Sequence, residues 1–240
     1  MLFLFKKETS SFIIWLLNSF VFLVACIAVG IVNSDFETGT SAGWTIGGGS
    51  RRGVASNDIY ADDYLPGGLR YNAGIANSHS GIVTPGYDPV LGTKMPNIVH
   101  RGNYALHVED TTTGGYGSVI SQAVYNYSCP DIYFAWLAAL DNGGHAANIA
   151  SLMILELKDL SLGDIILKRI YNAGTGSGSV DTRFNQSGTY SYTPSWQIEY
   201  VSINDTRLGH NFTLSVLVVD CEQGGHSGRV YIDSFGGIAP

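Results

Sequence analysis

Charge is scarce in this chain: Asp, Glu, Lys and Arg make up 14% of 240 residues. The basic residues are the scarcer, 13 Lys and Arg against 20 Asp and Glu, for a net charge of −7. A surface of that sign repels a phosphate backbone, so nucleic-acid binding has no electrostatic basis. Proline is down to seven residues and cysteine to three, which excludes a proline-rich linker and a disulfide-dense mini-scaffold. G-x-S-x-G, H-E-x-x-H, P-loop and C-x-x-C motifs are all missing, and with them the chemistries that those motifs announce. Residues 33–240 also hold no long stretch with the 3.6-residue apolar period of an amphipathic helix.

What is present is a folding composition, 45% hydrophobic, with 30 Gly, 14 Tyr, 10 Phe and 4 Trp. Long disorder is thereby excluded. The glycines follow no G-X-Y period, so a collagen helix is excluded too.

The amino terminus argues for export. Lys6 and Lys7 precede an apolar run from Phe12 to Val32, interrupted by Asn18 and Ser19. A basic region, an apolar core and small residues (Ala25, Ala28, Gly30) form the pattern of a secretory signal, cut after Ala28 or Gly30. The run is also long enough for an uncleaved anchor, and Leu23-Val24-Ala25-Cys26 fits a lipobox. Each alternative places residues 33–240 outside the cytoplasm, secreted or at the cell surface. There Cys129 and Cys221 form an even pair, read as one disulfide or as two buried thiols. Sequons stand at Asn126, Asn185, Asn204 and Asn211.

Residues 31–46 read as a strand, a turn and a second short strand. Residues 47–97, rich in Gly and Tyr, show no period and read as a long loop or small subdomain laid over the rest. Loops of that length are often functional. Beyond Ile98 the period is near 2, with strands expected at 104–108, 118–125, 132–138, 151–158, 164–171, 196–203, 212–218 and 229–235. Turn residues between such runs predict an all-β chain, two packed sheets in a jelly-roll β-sandwich spanning 31–240.

Three fragments then carry a resemblance. Asn33-Ser34-Asp35-Phe36-Glu37-Thr38-Gly39 followed by Gly43-Trp44, then Gly102-Asn103-Tyr104-Ala105-Leu106-His107-Val108, then Tyr231-Ile232-Asp233 occur in that order. Together they resemble the galactose-binding-like jelly rolls, among them the carbohydrate-binding modules attached to xylanases and glucanases. The stretch from Asp220 to Asp233 resembles the ending of jelly-roll repeats in secreted surface proteins of gliding bacteria. The insert at 47–97 is longer than the modules carry there. The resemblance implies non-catalytic glycan binding and a structural calcium ion held by Glu37 and Asp233, with Asp35 as a further ligand. Calcium needs six to eight oxygens, so backbone carbonyls would have to complete the set. Turn capping by Glu37 and a solvated strand-end acid at Asp233 is the plainer reading.

Sugar clefts stack planar side chains on pyranose faces. The ligand candidates are Tyr116, Trp196, Tyr192 and Tyr87, with Tyr60, Tyr64, Tyr71 and Tyr190 behind them; a core or sheet-surface role competes at each. Trp44 and Trp136 fit the core. A doubled Gly-Gly-His, at Gly143-Gly144-His145 and Gly224-Gly225-His226, follows Asp141 and Asp220. It reads as loop locking, ligand contact or a transition-metal site. A glycosidase would need only two facing carboxylates, such as Glu109 with Glu156 or Glu199. The reading favoured is a carbohydrate-binding module without catalysis. Its rival is an adhesive surface domain that packs on protein partners or on itself through the insert.

Overall fold

The structure, a computed structural model, describes residues 30–175 and 180–236. The leader, anchor and lipobox readings of residues 1–29 lie outside the described residues. Among the described residues, no helix is long and apolar enough to cross a membrane.

Two antiparallel sheets face each other. The first has the order β1-β4-β11-β6-β7, built from β1 (Thr45–Ser50), β4 (Tyr116–Val124), β11 (Phe212–Val219), β6 (Leu152–Asp159) and β7 (Asp164–Asn172). The second runs β2-β3-β12-β5-β9-β8, with β10 also on β5. Its strands are β2 (Gly81–Val83), β3 (Ala105–Val108), β12 (Gly228–Gly236), β5 (Asp131–Asp141), β9 (Tyr190–Tyr192), β8 (Asn185–Ser187) and β10 (Gln197–Ser202). The two-sheet β-sandwich expected from the period-2 pattern is therefore present, and each of the eight strands read beyond Ile98 is found within a few residues.

Alternation decides which side chains meet between the sheets, because successive Cβ atoms in a strand point to opposite faces. Ile132, Phe134, Trp136, Ala138 and Leu140 of β5 enter the central core, as do Leu214, Val216 and Val218 of β11 and Val230 and Ile232 of β12. Trp44 and Trp136 are both buried there, as expected.

The strand expected near Ile31 does not form. Asn33, Phe36, Gly39 and Gly43 all have positive φ, which breaks an extended backbone. Asn33 instead closes the loop by donating to the carbonyls of Thr40 and Ala42. Phe36 still reaches the core, 5.6 Å from the Trp44 ring and 6.3 Å from Phe235.

The insert divides its work. Its first half carries two short helices, α1 (Ala61–Tyr64) and α2 (Ala73–Ser78). Val54, Ile59, Ala61 and Tyr64 cover Val119, Ile154, Leu217 and Val219 on the outer face of the first sheet. The chain then crosses over as β2 and joins the edge of the second sheet. Leu91, Met95 and Ile98 cover that sheet's outer face, against Leu137, Ala139, Tyr192 and Tyr231. Each sheet is thus buried on both sides.

The Cys129–Cys221 bridge is not formed, since Cys221 is a free, buried thiol. Cys129 lies just before the first residue of β5, whereas Cys221 bonds to His226, two residues before Gly228, which pairs with Leu140 at the far end of β5. An eleven-residue strand separates the two ends by roughly 30 Å at ~3.3 Å per residue. Disulfide Cα atoms must come within about 7 Å.

Candidate functional site

On β12 the residues between Val230 and Ile232 and on either side of them face outward. Arg229 and Tyr231 therefore share the outer surface of the second sheet, where the insert settles on them. Asp88, at the start of the 88–91 turn, accepts two bonds from Arg229, 2.6 Å from Nε and 2.5 Å from Nη2. It also accepts the Tyr231 hydroxyl at 3.0 Å and the backbone N–H groups of Val90 and Leu91. Burial pushes the Asp88 carboxyl upward, but the Arg229 bonds and charge outweigh it and hold the group below its ordinary value. Burial alone would lower the Arg229 guanidinium; Asp88 raises it instead. Its plane lies over the Tyr190 ring, 5.2 Å from the centroid, a cation–π contact.

Beside this network opens a cleft of about 200 Å³, lined by Val83, Pro89, Ile98, His107, Asp110, Thr111, Arg229 and Tyr231. Arg229 is 2% exposed, and its Nη1 has no hydrogen-bond partner. An apolar wall with a few converging polar groups is the usual make-up of a ligand site.

Of the four aromatic candidates, three belong to this face. Tyr192 is buried in the cluster beneath the insert and Trp196 packs against it. The Trp196 indole N–H donates to the Asn97 carbonyl at 2.9 Å, and its ring lies 5.1 Å from His100. Tyr87 stands exposed on the insert. Tyr116 is elsewhere: it opens β4 in the first sheet and meets His79 edge-on at 4.7 Å. None of the four lines the cleft itself.

The cleft residues escaped sequence reasoning because Asp88 and Arg229 are 141 positions apart. A signal existed: Arg229 and Tyr231 alternate with Val230 and Ile232, so one strand face is polar where the other is core.

Glu37 and Asp233, expected to hold calcium, each accept hydrogen bonds from the loop at 100–104. Glu37 Oε1 accepts from the backbone N–H groups of Asn103 and Tyr104, and Oε2 from Asn103 Nδ2. The first of these bonds does most to hold the Glu37 carboxyl below its ordinary value. Asp233 Oδ2 accepts from the N–H groups of His100 and Arg101. Burial pushes Asp233 up to about 6, and no Lys or Arg side chain pairs with either acid among the described residues. Asp35 is exposed and bonds its Oδ1 to the Glu37 N–H. Glu37 Oε2 and Asp233 Oδ1 are the less committed oxygens, and Asp35, Glu37 and Asp233 do not form a group of three donor atoms within 4.8 Å of one another.

The three carboxylates weighed for hydrolysis each have another occupation. Glu109 bonds His79 at 2.6 Å and Ser118 at 2.8 Å. Glu199 accepts from Trp136 Nε1, Tyr171 OH and Arg169. Glu156 is buried on β6 beside Lys168, and burial raises its pKa. None lines the cleft. The sequon residues Asn126, Asn185 and Asn204 are exposed, and Asn211 is half-buried with Oδ1 accepting the Asn126 N–H.

No protein-family model matches the chain, and no curated protein matches it. Solved structures do. A family 61 carbohydrate-binding module in complex with β-1,4-galactotriose matches at 14% identity and a TM-score of 0.44, over 85% of this chain and 94% of its own. A family 28 module specific for non-crystalline cellulose matches at 14% identity and 0.42, over 86% and 92%. A family 27 module of Caldicellulosiruptor saccharolyticus, in complex with mannohexaose, matches at 9% identity and 0.42, over 86% and 97%. At these identities and scores the neighbours say nothing about individual site residues. Several of the solved structures that this chain is similar to are carbohydrate-binding modules; its own strands form a two-sheet β-sandwich.

Proposed function

We propose that the chain is an extracellular, non-catalytic carbohydrate-binding module, with the cleft over β3 and β12 as its ligand site. The observation that carries this reading is the cleft of about 200 Å³ in which an apolar wall of Val83, Pro89 and Ile98 meets the polar side chains of His107, Asp110, Thr111 and Arg229. A pyranose offers the matching surfaces, a C–H face for the wall and hydroxyl oxygens for the guanidinium. Asp110 and Thr111 at the cleft accept the sugar's hydroxyl hydrogens. Asp88 already neutralises Arg229, Asp110 adds negative charge, and the whole chain carries −7. A neutral glycan is therefore favoured over a uronic-acid polymer. Tyr87, exposed on the neighbouring loop, supplies a stacking surface for an adjoining unit.

The test is calorimetric titration of the purified chain with neutral and acidic oligosaccharides. Binding of a neutral oligosaccharide, lost in Arg229→Lys while the fold persists, supports the reading. A folded protein that binds no glycan overturns it.

Calcium belongs to the proposal as a stabilising ion at Glu37 and Asp233. It would neutralise two acids that face one loop and form no ion pair with a Lys or Arg side chain among the described residues, and it takes no part in binding sugar. The adhesive alternative is favoured by one observation, the exposed apolar residues Leu69, Tyr87 and Val90 on the insert. Concentration-dependent self-association that is abolished by Leu69→Asp, without glycan binding, would select it.

A further inference from the structure

The doubled Gly-Gly-His has a different partner from the one its sequence offered. Neither Asp141 nor Asp220 joins the two histidines; the thiol of Cys221 does. His145 Nε2 lies 3.0 Å from His226 Nδ1, and Cys221 Sγ lies 3.5 Å from the same nitrogen. The three donor atoms sit within 4.8 Å of one another. We propose that His145, Cys221 and His226 form a binding site for a thiophilic transition-metal ion of the zinc class, separate from the sugar cleft and from the calcium corner.

Geometry argues for this beyond proximity. With Zn–N near 2.0–2.1 Å and Zn–S near 2.3 Å, tetrahedral angles require N···N edges of ~3.3 Å and N···S edges of ~3.5 Å. Two of the three edges, at 3.0 Å and 3.5 Å, are close to these values, and the third, from His145 Nε2 to Cys221 Sγ, lies within 4.8 Å. Two imidazoles and a thiolate are a borderline-soft set, which prefers zinc or copper to calcium or magnesium. Three protein donors leave a fourth position for water or an outside ligand.

The site is also built, in the sense that backbone holds each donor. The turn carrying Cys221 and His226 is closed by the Cys221 N–H to the His226 carbonyl at 2.9 Å and by the Gly224 N–H to the Cys221 carbonyl at 3.0 Å. The Gly225 N–H donates to Cys221 Sγ at 3.2 Å, which fixes the position of the sulfur. His145 arrives on the loop between β5 and β6, fixed by its own N–H to Asn142 and by the Thr175 N–H to its carbonyl. Gly143 shapes the seat: a Cβ there would lie 2.0–2.3 Å from the His226 ring atoms. Gly143 thus admits the His226 imidazole against bare backbone.

The experiment is titration of the chelator-treated chain with zinc chloride, followed by calorimetry and melting, and by absorption with cobalt substituted for zinc. Expected are one ion per chain, a raised melting temperature and a sulfur-to-cobalt charge-transfer band. Cys221→Ser should abolish the band and His145→Gln should weaken binding by more than about tenfold. His145 is only half-buried, so its variant keeps the metal-free fold and melting temperature. Zinc that fails to bind the folded wild-type chain, or that binds both variants as tightly as wild type, overturns the proposal. Glycan binding is measured on the same samples, so failure of one site is distinguishable from failure of the other.

Discussion

Arg229 of β12 and Asp88 of the insert are joined by two parallel hydrogen bonds, and both side chains are buried. Each charge is tolerable only because of the other. Removing one partner leaves an uncompensated buried ion, whereas replacing both with apolar groups does not. Asp88→Ala should destabilise the fold by about 3–5 kcal/mol. The double variant Asp88→Leu/Arg229→Met should lose less than that single change. Urea unfolding of the variants measures the difference; equal losses would mean that the pair is not coupled.

Arg51 is a second buried guanidinium, and carbonyls rather than acids surround it. It donates to the Ala150, Asp220 and Val54 carbonyls and to Ser56 Oγ. Burial lowers its pKa to about 10. Arg51→Met would orphan several buried carbonyls at ~1–3 kcal/mol each. The expected loss is at least ~3 kcal/mol by urea titration, with no change in glycan affinity.

The pH dependence between pH 5 and pH 8 should come from the buried cluster of His79, Glu109 and Asp220, in which His79 and Glu109 bond at 2.6 Å. The hydrogen bond to Glu109 raises His79, and burial raises Glu109. Ser118 bonds to Glu109, Asp110 lies 3.5 Å from His79, and burial raises nearby Asp220 to about 8. A raised histidine stabilises below its unfolded value near ~6.5, and that stability is lost as pH climbs through the folded value. A raised carboxyl costs stability as pH climbs above ~4.3 toward its folded value. Both contributions have one sign, so the urea midpoint should fall between pH 5 and pH 8. Glu109→Gln should flatten the curve; a midpoint that rises over this interval would contradict the assignment.

The calcium proposal predicts that a chelator lowers the melting temperature of the wild-type chain by several degrees and leaves that of Asp233→Asn unchanged. A ligand that binds only the folded state must have this effect, so an unchanged wild-type melt would exclude a stabilising ion at Glu37 and Asp233.

The legible part of the sequence was whatever depends on local alternation. The strands of β4, β5, β11 and β12 announce themselves because each sends alternate apolar residues into the core between the sheets. Trp44 and Trp136 could be placed in the core for the same reason. The illegible part depends on which distant segments meet. Cys221 was paired with Cys129 because an exported chain with two such cysteines invites it; only the length of β5 shows that they belong to opposite ends. The same thiol stands with two histidines recognisable as a motif, but nothing in the spacing of Asp141, His145 and Cys221 gave their convergence. Residues 31–46 read as a strand, a turn and a second short strand, and positive φ at Asn33 and Phe36 turns the first of these strands into a loop.

The excursion between β1 and β3 gives the molecule one unbroken wrapper for two exteriors. Excising it would bare Val119 and Leu217 on one leaf and Leu137 and Tyr231 on the other at a single stroke. The segment therefore cannot be trimmed or transplanted as an ornament. A relative that dispensed with it would have to re-dress both outer surfaces in polar side chains before it could stay dissolved.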